Sequence, residues 1–83
     1  MEIKSFYKNQ RELAEALSKV IDIYWRSEIS ENNMIDSIIR IVDNNKSKVF
    51  TDDNGKFTAV LRQQCGKRRL EIVSKILQSK DNK

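Results

Sequence analysis

The chain contains no proline and no histidine, and in its 83 residues only two glycines and one cysteine. Without histidine there is no side chain that titrates near neutrality at its ordinary pKa, so the common acid–base and nucleophilic enzyme chemistries lack their base. One Cys and no His cannot build a tetrahedral zinc site, and a lone Cys65 cannot form an internal disulfide, which agrees with a reducing compartment. Neither Gly55 nor Gly66 stands in a phosphate-cradling GxxxxGKS or GxGxxG arrangement. Long apolar runs are missing too. The N-terminal MEIKSFYKNQ has no signal-peptide core, and nothing approaches the ~18 apolar residues of a membrane span. The expectation is a cytoplasmic, non-enzymatic protein without cofactor or metal.

What is present is charge, and it is unevenly placed. Residues 1–55 carry 8 Lys/Arg against 10 Asp/Glu, a balance of −2, whereas residues 56–83 carry 8 against 2, a balance of +6. Such asymmetry points to an anionic partner for the last third. With 39% hydrophobic and 34% charged residues the chain is globular, and without a linker it is one domain, residues 1–79, followed by a frayed tail over 80–83. A domain of this size buries roughly 60% of its unfolded surface. Homodimerisation through a shared hydrophobic face would ease that thin core.

The periodicity predicts an all-α fold, a small bundle of about four helices. Asn9 and Glu12 have N-cap and N3 spacing, and Leu13, Leu17, Val20, Ile21 and Tyr24 then mark a helix over about 10–26, the central one. Ser30 caps a second, carrying Met34, Ile35, Ile38, Ile39, Ile41 and Val42 and stopping near Asn44 and Asn45. The short connection makes the two an antiparallel hairpin.

The stretch 48–60 has two readings. Asn54-Gly55 between Val49-Phe50 and the apolar run from Phe57 to Val60 is a hairpin signal, giving a small wing-like β-hairpin. Phe57, Val60, Leu61 and Cys65 favour instead a turn followed by a short helix, which is the preferred reading. Leu70, Val73, Ile76 and Leu77 define a last helix over about 67–79. Stepped at ~100° per residue, the apolar centres of 57–65 and 70–77 differ by roughly 130°, so a single rod could not bury both. The break belongs at Gly66, where a left-handed C-cap is tolerated. The acidic turn Asp52-Asp53-Asn54-Gly55 fails as a calcium loop, because the alignment puts Phe50 at the first ligand position and no Glu follows.

Helix, Gly-containing turn, helix with Lys67, Arg68 and Arg69 opening the second: this is the layout of a helix-turn-helix. Cations at a helix N-terminus oppose the macrodipole, and a local rule broken without visible gain marks a functional candidate. The departure is Arg62, which occupies the inner position usually held by a small residue. Arg62, Lys67, Arg68, Arg69 and Lys75 are the candidate phosphate contacts, and Gln63, Gln64 and Arg68 the candidates for base edges. Arg69 falls on the apolar arc and has a second reading, a pair with an acidic residue of another helix. Cys65 sits at an apolar spacing and reads as packing rather than a reactive thiol. Phe6, Tyr7, Tyr24, Trp25, Phe50 and Phe57 read as core and are not interleaved with the basic cluster, so no single-strand stacking platform is predicted. Trp25, on the flank of the apolar stripe, and Tyr24, at its end, are the candidates for a dimer or partner contact.

The segments FYKNQRELAEAL and QQCGKRRLEIVSKIL resemble a family of short, uncharacterised proteins from clostridial and related low-GC Gram-positive bacteria, and the likeness runs from Phe6 to Leu77. It implies no catalytic residue. The functional expectation is a DNA-associated regulatory or accessory protein, in transcription, recombination or a mobile element. The alternative is an adaptor whose basic helix binds an acidic surface of a recombinase or polymerase without touching DNA.

Overall fold

The computed structural model describes residues 6–51 and 56–81 and is all-α. In chain order the helices are α1 (Gln10–Trp25), α2 (Glu31–Asn44), α3 (Lys46–Val49) and α4 (Ala59–Asp81). The expected tight turn and the failed calcium loop at Asp52–Gly55 lie outside the described residues, as does the end of the tail.

Each boundary has a local cause. Asn9 Oδ1 accepts from the Glu12 backbone N–H at 2.8 Å, and Ser30 Oγ accepts from that of Asn33 at 3.1 Å, so each satisfies an amide that the first helical turn leaves unpaired. At the other end of α1 the Ser27 N–H bonds to the Tyr24 carbonyl and the Glu28 N–H to that of Ile23, both at 2.9 Å, which is the double bond of a Schellman motif. Ser27 takes the left-handed position, φ 63°, that glycine usually fills. Asn45 ends α2. It is buried, donates through Nδ2 to the Ile41 carbonyl at 2.8 Å and accepts from the Tyr7 N–H at 3.3 Å, tying the segment before α1 to the α2–α3 junction.

Helix α1 packs against α2, α3 and α4 and is the central element, as its broad apolar arc predicts. Leu13, Leu17, Val20 and Ile21 from α1 meet Ile38, Ile41 and Val42 from α2, Val49 from α3 and Leu61, Leu70, Val73 and Ile76 from α4 in one core. Burying a side chain of this kind stabilises by roughly 1.5–3 kcal/mol, so this seam, rather than any surface pair, holds the bundle.

The short α3 is absent from the sequence reading. Its four residues are too few to show a period, and Val49 anchors it at zero exposure. After it the chain makes one antiparallel bridge, Phe50 to Phe57, with Thr51 N–H to Lys56 C=O at 2.8 Å and Thr58 N–H to Val49 C=O at 3.0 Å. The two rings stack with centroids 5.6 Å apart. Among the described residues the wing-like alternative is reduced to a single bridge leading into a helix. Buried Thr58 starts that helix by accepting the Leu61 N–H on Oγ1, and the helix begins at Ala59 rather than 57.

Gly66 breaks α4. Its φ 81°, ψ 167° is non-helical, so α4 consists of two limbs, 59–65 and 67–81. The break stands where the 130° disagreement between apolar centres requires it. Its form differs from the expected left-handed C-cap, because ψ is extended; this is a region of backbone space that essentially only glycine occupies. The second limb reaches Asp81, two residues past the expected end, a difference within ordinary end-fraying.

Candidate functional site

The cations of the last third fall on both sides of the Gly66 break. Arg62, Gln63 and Gln64 are exposed on the first limb, and Lys67, Arg68 and Lys75 on the second. The reason is the opposite apolar phase of the limbs: Leu61 and Cys65 turn the first towards α1, Leu70, Val73 and Ile76 turn the second inward, and the charged residues between them are left outside. Arg62 is not an inner residue of the pair. It stands in solvent, which removes the steric objection raised by its size. The limbs meet through one non-helical residue, however, where a DNA-reading helix-turn-helix has a turn of three or four.

Arg69 behaves differently from its neighbours. Its Nε and Nη2 donate to Asp22 Oδ1 at 2.9 and 2.7 Å, and Nη1 donates to the Cys65 carbonyl at 3.0 Å. The guanidinium therefore ties the second limb to α1 and to the first limb across the break. Of the two readings the sequence leaves open for Arg69, the interhelical pair is the one present.

Trp25 joins this group. The Arg69 Cζ lies 5.5 Å and the Arg68 Cζ 5.8 Å from its ring centroid, within cation–π range of the negative ring face. Trp25 is nonetheless 44% exposed, and Phe6 is 69% exposed, so these two aromatics depart from the expected core placement. Tyr7 is buried, while Tyr24, Phe50 and Phe57 pack half-buried against the core. The sequence placed Trp25 and the Arg pair in separate roles; folding puts them in one corner.

A second feature lies along the break. An open groove of about 360 Å³ is lined by Phe57 and Leu70, with Arg62, Lys67, Glu71 and Ser74 around it. Its lining is mostly apolar, with Arg62 and Lys67 contributing two cations and Glu71 one carboxylate.

Cys65 is buried, and its Sγ donates to the Ala14 carbonyl at 3.4 Å. Burial pushes the thiol pKa up; the Ser18 hydroxyl and Arg69 pull it down by less, and Asp22 adds a small rise. The Ser18 hydroxyl is buried and makes no bond of ordinary hydrogen-bond geometry among the described residues, so its hold on the thiol is weak. A neutral, enclosed thiol is a packing residue. Among the described residues no group of three or more His, Cys, Asp or Glu side chains could hold a metal ion, and no helix is long and apolar enough to cross a membrane.

A family model described as conserved hypothetical protein matches residues 4–78. The chain belongs to this family. No curated protein and no solved structure matches it. The match covers the whole of α1 and all but the last three residues of α4, so the corner formed by Asp22, Trp25, Arg68 and Arg69 lies inside the matched region.

Proposed function

We propose that this is a small non-enzymatic DNA-associated protein, regulatory or accessory to transcription or recombination, that holds phosphates with Arg62, Lys67, Arg68 and Lys75. The supporting observation is the exposure of all four on the two limbs flanking Gly66, in a segment whose only acidic residue between positions 56 and 80 is Glu71. Phosphate contact needs cations on one surface and no base-reading geometry, so the one-residue turn does not count against it. Gln63 and Gln64, exposed beside Arg62, supply the groups for any base-edge contact. Arg69 serves by fixing the second limb on α1. The reading carries with it a cytoplasmic setting in a clostridial or related low-GC Gram-positive host, in line with the Ile-, Lys- and Asn-rich composition.

The test is titration into short duplex DNA at ~50 and ~200 mM salt, with light scattering on the same sample to read whether the protein is a homodimer. With about four phosphates neutralised, affinity should fall roughly 100-fold between the two salts. The groove beside Phe57 and Leu70 favours a second reading, an adaptor that seats an acidic amphipathic segment of a recombinase or polymerase there. Absence of duplex binding at ~50 mM salt selects it.

A further inference from the structure

Trp25 is the only tryptophan of the chain and stands at the C-terminal end of α1. A half-exposed indole at a helix end is ordinary alone. Its neighbours are not. Arg69 is fixed by three hydrogen bonds to Asp22 and Cys65 and holds its guanidinium 5.5 Å from the ring centroid. Arg68 brings a second guanidinium to 5.8 Å and is itself exposed; among the described residues no carboxylate stands within ion-pair distance of it. The corner thus offers a half-exposed indole with two guanidiniums over its ring, one committed to Asp22 and one, that of Arg68, free to move aside for a ligand.

Few ligands satisfy both parts. A carboxylate of an acidic protein would pair with Arg68 but would meet the negative face of the indole. A second copy of the chain, docked through a two-fold axis on this corner, would bring like-charged Arg68 and Arg69 pairs together. A nucleobase presents a flat π-face to the ring while its phosphodiester presents the anion to Arg68; an unpaired base has that face available, whereas a base inside a duplex is stacked on both sides.

We propose that the Trp25–Arg68–Arg69 corner binds an unpaired nucleobase and its adjacent phosphate, directing the protein to single-stranded or branched DNA. The inference rests on the nucleic-acid reading above and narrows its substrate. It also reverses the expectation drawn from the linear spacing of aromatics and cations, since α1 and α4 supply the two halves of the platform.

Because Trp25 is the sole indole, its emission reports directly. The probes are oligo-dT of about 10 nucleotides, a blunt duplex of the same length, and that duplex with an unpaired tail. Oligo-dT and the tailed duplex should quench the indole and bind about 10-fold or more tightly relative to the blunt duplex, and Trp25→Leu should abolish the difference while leaving weaker, salt-sensitive binding, in keeping with the loss of one base–aromatic stack. Trp25→Phe should retain part of the preference. Blunt duplex bound as tightly as oligo-dT, with unchanged emission, overturns this inference and leaves the DNA reading standing; no binding to any probe overturns both. Should Trp25→Leu lose its helical circular dichroism, Arg68→Gln carries the test: weaker affinity for oligo-dT with the same quench at saturation is expected, and unchanged affinity contradicts the assignment. Emission that changes with protein concentration as the mass doubles would assign the corner to a second copy and likewise overturn it.

Discussion

Arg69 Nη2 lies 2.7 Å from Asp22 Oδ1, a contact that joins positions 47 residues apart and sets where the second limb of α4 rests on α1. The two side chains are 31% and 38% exposed, so solvent screens the pair and its Coulombic share is modest. Asp22→Asn is expected to cost about 1 kcal/mol in urea unfolding, less than the roughly 1.5–3 kcal/mol of a buried charge-assisted bond because the pair is screened by solvent. Arg69→Gln should cost more, about 2 kcal/mol, because it also leaves the Cys65 carbonyl without its guanidinium partner and uncovers one side of Trp25. Equal costs in the two variants would mean that the ion pair alone matters.

Gly66 should tolerate no side chain. A Cβ there would meet nothing within 4 Å, so the obstacle is conformational rather than steric. Holding φ 81°, ψ 167° in an L-residue costs of order 1–3 kcal/mol, and Gly66→Ala should lose that much in stability measured by denaturant unfolding. A neutral Gly66→Ala would show that the limbs can re-form as one rod.

Ser27 offers the opposite case. It holds φ 63° in a Schellman motif, where an L-residue pays about 1 kcal/mol. Ser27→Gly should therefore raise the thermal midpoint by a few degrees, less whatever the added chain entropy of glycine takes back.

Cys65 should react slowly with thiol reagents in the native protein and fast once unfolded. Its folded pKa is raised, chiefly by burial, so the thiolate forms more readily in the unfolded chain. The stability this confers is complete below the unfolded thiol pKa, about 8.5, and is lost as pH rises from there through the folded value. Wild type minus Cys65→Ala stability, compared at pH 7 and pH 10, should shrink at the higher pH; a constant difference would contradict the burial of the thiol.

Much of the fold was legible because it depends on local rules. Asn9 and Ser30 announce their helices by side-chain capping, and Gly66 announces the break because the apolar phases on its two sides disagree. Helix α3 and the Thr58 cap were missed: the first is shorter than one period, and the second sits inside a run whose apolar spacing already looked helical from Phe57. For the site, exposure of Lys67, Arg68 and Lys75 follows from the helical wheel, and so does the inward turn of Arg69. Its partner Asp22 and its neighbour Trp25 do not, since both depend on the register of α1 against α4, which no spacing within either helix encodes.

The phosphate contact proposed for the exposed cations on the two limbs of α4 is open to measurement. Its most direct test compares duplex affinity against salt for the wild type and for Arg68→Glu combined with Lys75→Glu, with circular dichroism to verify the fold. Binding to duplex of any sequence should weaken, and log affinity should fall less steeply with log salt, by roughly two charge contacts. A folded double variant that binds as wild type does, with the same salt slope, would contradict it.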